Sequence, residues 1–99
     1  MSDLETRLAA LAAAGQTITY GQLARDLGWR MGDLTAALER LMDHDAHQGL
    51  PLRAALCEAR LGNGLPARGF FDKASELGFD TCDPAEFVSR HRRLLQGAT

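Results

Sequence analysis

The sequence predicts a mainly α fold with a small β wing. Three observations predict it. Apolar residues recur at helical spacing in separate segments, each bounded by a capping residue and a glycine. A glycine- and proline-rich cluster breaks this pattern after the third segment. The chain has 99 residues, 45% of them hydrophobic, which fits one modest core in a single domain over residues 1–99.

The first helix lies in "SDLETRLAALAAA". Ser2 and Glu5 have the spacing of a capping box, each side chain bonding the other's backbone N–H. Leu4, Leu8 and Leu11 recur at i, i+4 and i+7 and form one stripe. Gly15 ends the helix in the left-handed region. "TITYGQLARDLG" repeats the plan. Thr19 is the cap, Gln22 its capping-box partner, and Ile18 a staple onto the first turn. Leu23, Ala24 and Leu27 face inward, and Gly28 stops the helix. In "WRMGDLTAALERLMDHDAH" the stripe is Leu34, Leu38 and Leu41, with Ala37 beside it. Gly32 weakens the first turn of this third helix. Gly28 lies between helices two and three, a usual place for glycine in a helix-turn-helix.

The next segment carries a conflict. "LRAALCEAR" contains good helix formers. Yet Pro51 stands near its start, and "LGNGLPARG" follows with three glycines and a proline. A hairpin reconciles these signals, with a strand over 52–60. Two helices follow. "FFDKASEL" is ended by Gly78. "DPAEFVSRHRRLLQG" has Asp83 as cap, Pro84 in the first helical position and Glu86 in the capping-box position. Its predicted buried face is Phe87, His91, Leu94 and Leu95, and Gly97 ends it. Three helices, a hairpin and two further helices are the order of a winged helix-turn-helix with extra C-terminal helices.

Composition bounds the function. The longest apolar run, Leu8 to Ala14, is far shorter than the roughly 20 residues of a membrane span. It follows Asp3, Glu5 and Arg7, unlike a secretory signal. Cys57 and Cys82 have neither metal-like spacing nor a disulfide framework. The expected location is a reducing cytoplasm, with no membrane partner. The formal net charge is −2, so a DNA contact has to rest on local clusters of cations.

"ITYGQLARDLG" resembles the "TYGxLA" segment of the alkylguanine-DNA alkyltransferases and alkyltransferase-like proteins, through Thr19, Tyr20, Gly21, Leu23 and Ala24. In that family the segment lies in a winged helix-turn-helix that binds the DNA minor groove. The resemblance covers at most residues 17 to 70, with those five residues as its sharp part, and implies the same fold and a DNA partner. It does not imply alkyl transfer, because the family's reactive Pro-Cys-His-Arg motif is absent and Cys57 sits in "ALCEA" without a neighbouring His or Arg. The third helix also departs from the family's basic recognition helix, with Asp33, Glu39, Asp43 and Asp45 against Arg30 and Arg40. A second likeness joins "ALCEARLGNGLPARGFF" to uncharacterised bacterial proteins with a Gly-Leu-Pro-Gly-x-Gly-Phe turn. Gly64, Leu65, Pro66, Gly69, Phe70 and Phe71 carry it, and Ala67 replaces a glycine.

Four candidate sites emerge. The wing segment 53–73 carries Arg53, Arg60, Arg68 and Lys73 against Glu58 and Asp72, and the last helix adds Arg90, Arg92 and Arg93. For a nucleic-acid face, Arg30, Thr35 and Arg40 would meet the groove, Arg53, Arg60 and Arg68 the phosphates, and Arg92 and Arg93 the flanking backbone. The alternative is a solvated charged surface. In "DHDAH", His44 and His47 are three apart and share a helix face, but no second ligand pair supports a metal, and the plainer explanation is a polar helix end. Cys57 reads as a small core residue, and Asp80 and Asp83 dull Cys82. Trp29 and one of the adjacent Phe70 and Phe71 are candidates for a protein interface, as are Ala9, Ala12 and Ala13, against the reading that the aromatics cover the core. The expectation is a non-catalytic protein without cofactor that binds double-stranded DNA in a regulatory or accessory role. The alternative is a winged helix used for docking a protein partner or for homodimerisation.

Overall fold

In the computed structural model, which describes residues 3–97, the apolar stripes of five α helices close around a short segment that is neither α helix nor long strand. Helix α1, Asp3–Ala14, buries Leu4, Leu8, Leu11 and Ala12. Gly15 then takes a φ of +66°, and the Gln16 N–H reaches back to the Leu11 carbonyl at 2.9 Å. The Ser2 half of the expected capping box lies outside the described residues.

A two-residue strand β1, Ile18–Thr19, leads into α2, Tyr20–Leu27. The Thr19 hydroxyl accepts from the Gln22 N–H at 3.2 Å, as the sequence predicts. The Gln22 side chain does not turn back toward Thr19. It donates to Asp26 at 2.7 Å and accepts from Arg25 at 3.0 Å, along its own helix. Gly28 closes α2 at φ +70°. Helix α3, Met31–His47, begins after Arg30 with no side-chain cap and buries Leu34, Leu38, Met42 and Asp45. Met42 takes the place expected for Leu41, which is half-buried.

The expected strand over 52–60 and its hairpin are not formed. Arg53–Leu56 is a 3₁₀ helix, and only Cys57–Glu58 (β2) is paired as a strand. Strand β2 pairs in parallel with β1, with Ile18 opposite Cys57 and Thr19 opposite Glu58. The physical reason is burial. Leu52, Ala54, Ala55, Leu56 and Cys57 are all within the core, so their backbone polar groups must be satisfied there. Side chains from two helices contribute. The Leu52 N–H donates to His91 Nδ1 at 2.9 Å, and the Arg53 N–H to Asp45 Oδ2 at 3.0 Å. Arg92 Nε donates to the Ala55 carbonyl at 2.7 Å. The segment therefore needs no antiparallel partner.

The glycine cluster does form the predicted turn. The Ala59 N–H donates to the Leu65 carbonyl at 2.8 Å and closes the loop between them. Asn63 and Gly64 both have positive φ, +52° and +86°. At Gly62 a Cβ would sit 2.7 Å from the Leu65 carbonyl oxygen, so this position requires glycine. Helix α4, Arg68–Glu76, buries Phe70 and Ala74. Helix α5, Pro84–Gly97, starts where Asp83 accepts from the Glu86 N–H at 3.2 Å. It buries Phe87, Val88, His91 and Leu95. Leu94, expected inside, is 52% exposed, and Val88 replaces it on the inner face. The fold is mainly helical with a small two-stranded parallel sheet. No helix among the described residues is long and apolar enough to cross a membrane.

Candidate functional site

An open cleft of about 840 Å³ lies beside α3. Its walls are the N-terminal end of α2, one side of α3 and the stretch from Ala59 to Phe70. Leu38, Met42, Ala54 and Phe70 give it an apolar floor. Arg25, Met31, Thr35, Glu39 and Arg60 line its more exposed part. These α3 residues share a side because 31, 35, 38, 39 and 42 follow the i, i+4, i+7, i+8, i+11 row.

Tyr20 anchors one wall. Its hydroxyl accepts from the Ala67 N–H at 3.1 Å and ties the start of α2 to the entrance of α4. Burial pushes its pKa up to about 12, so the phenol keeps its proton at neutral pH. Thr19 also lines the cleft with its hydroxyl already accepting a backbone N–H. The Thr35 hydroxyl donates back to the Met31 carbonyl at 3.0 Å.

The cations expected to meet nucleic acid divide into three groups. Arg53 and Arg92 serve the interior instead. Arg53 donates to both oxygens of Asp45, the shortest bond being 2.8 Å, and reaches Glu5 at 3.2 Å. Asp45 is fully buried, which makes Arg53 its obligatory counter-charge. The hydrogen bonds to Asp45 hold the Arg53 pKa above its ordinary value. Arg92 Nη2 bonds the Gly64 carbonyl at 2.8 Å while its Nε holds Ala55. A second group is exposed but paired. Arg93 lies 3.5 Å from Glu86, and Arg68, 93% exposed, lies 3.9 Å from Asp72. The third group, Arg30, Arg40 and Arg60, has no carboxylate within ion-pair distance among the described residues. Thr35 and Arg60 share the cleft, whereas Arg40 lies beside Trp29 and Asp33 on another face of α3.

Arg25 is not among the residues expected from the sequence. It shares the cleft with Arg60, and it bonds the Gln22 amide oxygen rather than a carboxylate. The available signal is its position in α2: Leu23, Ala24 and Leu27 define the inner face, and Arg25 points away from it.

Burial resolves the other candidates. Cys57 is buried, and desolvation pushes its pKa up to about 12, so it is a protonated core thiol at neutral pH. Cys82 is exposed, and its hydrogen bond with Asp80 raises its pKa. Asp45 turns into the core while His44 and His47 lie outside it. Among the described residues, no three of His, Cys, Asp and Glu converge to hold a metal. Phe70 is buried, and Phe71 and Trp29 are half-buried against the core. Phe70 and Phe71 meet edge to face at 5.2 Å. Of the small α1 residues, Ala12 is buried and Ala9 and Ala13 are exposed.

Comparison of the chain with protein-family models, with curated proteins and with solved structures finds no match. The elements and the cleft define a small helical domain in which two helices joined by a tight turn stand beside an open, arginine-bearing groove.

Proposed function

We propose that this domain is a non-catalytic, winged-helix-like module that binds double-stranded DNA through α2, α3 and the turn between Ala59 and Leu65. In this reading the closed turn takes the part of a wing. Arg25 and Arg60 grip phosphates, Arg30 meets them at the head of α3, and Thr35 reaches toward the groove. One observation carries the reading. Arg25, Arg30, Arg40 and Arg60 pair with no carboxylate among the described residues, and all belong to α2, α3, the turn joining them or the Ala59–Leu65 turn. Most other cations are matched within the protein. An unpaired arginine is available to a phosphate without first breaking an ion pair.

The test is duplex binding over a range of salt. Replacing Arg25 and Arg60 together by Ala should lower affinity and reduce the log–log salt slope by about 2, one unit for each phosphate no longer neutralised. Unchanged affinity and slope would overturn the proposal.

A second reading is docking of a protein partner or a second copy. The exposed acids of α3, Asp33, Glu39 and Asp43, favour it, as does Leu61, which is 91% exposed at the tip of the turn. Salt-insensitive self-association in sedimentation, weakened by Leu61→Ser, would support this reading over DNA binding.

A further inference from the structure

The geometry points to the cleft beside α3 as a binding site for an amphipathic organic anion, a compact apolar body carrying one carboxylate. This goes beyond the nucleic-acid reading and does not depend on it. The volume, about 840 Å³, lies within the range of small-molecule sites, roughly 300–1,000 Å³. The floor is apolar, and the α3 wall carries two methionines, Met31 and Met42, whose flexible thioethers adapt to an irregular ligand.

The polar groups in the cleft are biased toward donation. Arg25 and Arg60 bring two positive charges without a carboxylate partner among the described residues, against one acid, Glu39. The hydroxyls of Thr19 and Tyr20 each already accept a backbone N–H, from Gln22 and Ala67. Each therefore retains its own proton as the group still to be placed. Two guanidinium groups and two hydroxyl donors around an apolar floor suit a carboxylate head with an apolar body. A neutral ligand would forgo the charge-assisted hydrogen bonds to both guanidinium groups, and a small inorganic anion would make no contact with the apolar floor.

The probes are 2-naphthoate, its neutral isostere 2-naphthamide, and acetate. They are titrated into the full chain without DNA and followed by amide and methyl NMR. The expected result is saturable binding of 2-naphthoate, roughly tenfold tighter than either comparison compound, because only it supplies both the charge and the ring. The shifts should centre on Met31, Met42, Thr35 and Phe70. The variant Arg25→Gln with Arg60→Gln should melt at the wild-type temperature and lose the preference for naphthoate over naphthamide. Three results would overturn the inference: no saturable shift at these residues at millimolar 2-naphthoate, equal binding of the amide, or an intact preference in the double variant. None of them bears on duplex binding, so the two proposals fail separately.

Discussion

The arginines of this protein do two kinds of work, and the contrast is sharpest between the buried segment Leu52–Cys57 and the open cleft. Around the segment, charged and polar side chains are matched to specific partners. Asp45 answers Arg53, His91 answers the Leu52 N–H, and Arg92 answers two carbonyls. Around the cleft, Arg25 and Arg60 stand with no carboxylate partner among the described residues. Residue type does not separate the two groups. What separates them is whether a carboxylate or a buried carbonyl stands across from the guanidinium. The first set holds the fold together, and the second is available to a ligand.

The comparison breaks most visibly at Arg53. Arg53→Ala leaves the fully buried Asp45 without its counter-charge and should cost about 3–5 kcal/mol in urea unfolding. Asp45→Asn should cost less, because its amide oxygen can still accept from the Arg53 N–H. Arg92→Ala comes next, at about 2–3 kcal/mol, since it strips a charged donor from the carbonyls of Ala55 and Gly64. At the other extreme, Arg25→Ala with Arg60→Ala should shift stability by less than about 0.5 kcal/mol per site while changing ligand binding.

Between these lies a pH effect. Burial, helped by the charge of Arg90, holds the His91 pKa below its ordinary 6.5. The imidazole accepts from Leu52 through Nδ1, so the neutral ring is the form that fits. In the unfolded chain the ring takes a proton near pH 6.5, whereas in the fold it resists. The contribution of His91 is therefore fully present above about pH 6.5 and is lost as pH falls through its lower folded value, with a slope of at most about 1.4 kcal/mol per unit. His91→Gln keeps an acceptor for Leu52 but does not titrate. It should flatten the stability profile below about pH 6.5, measured by denaturation at each pH. An unchanged slope would assign the acid loss to another group.

Much of the helical framework is legible in local chemistry. Thr19 and Asp83 cap their helices, and Gly15, Gly28 and Gly78 take the positive φ expected after helix ends. The segment 52–60 is not legible in the same way. Its own residues are helix formers and its flanking proline and glycines suggest a strand, yet its conformation is set by Asp45, His91 and Arg92 from distant helices. Local propensity cannot report such partners. One clue is present in the sequence. Asp45 continues the Leu34, Leu38, Met42 stripe at the spacing of a buried position, and a charge on that stripe calls for a partner in the core. The cleft is half legible. Thr35 and Arg60 stand out as candidates from their segments alone, but Arg25 looks like an ordinary solvated residue until the turn before α4 stands opposite it.

The hydrogen bonds from α5 to the buried segment also set a timetable. Leu52 and Ala55 are synthesised before His91 and Arg92, and until the later residues are in place the Leu52 N–H and the Ala55 carbonyl lack these partners. The central segment cannot be sealed from solvent during synthesis while the last helix is missing. A chain truncated before His91 should remain protease-sensitive at Leu52–Cys57 even with α1, α2 and α3 helical, and the domain should close only when α5 is present.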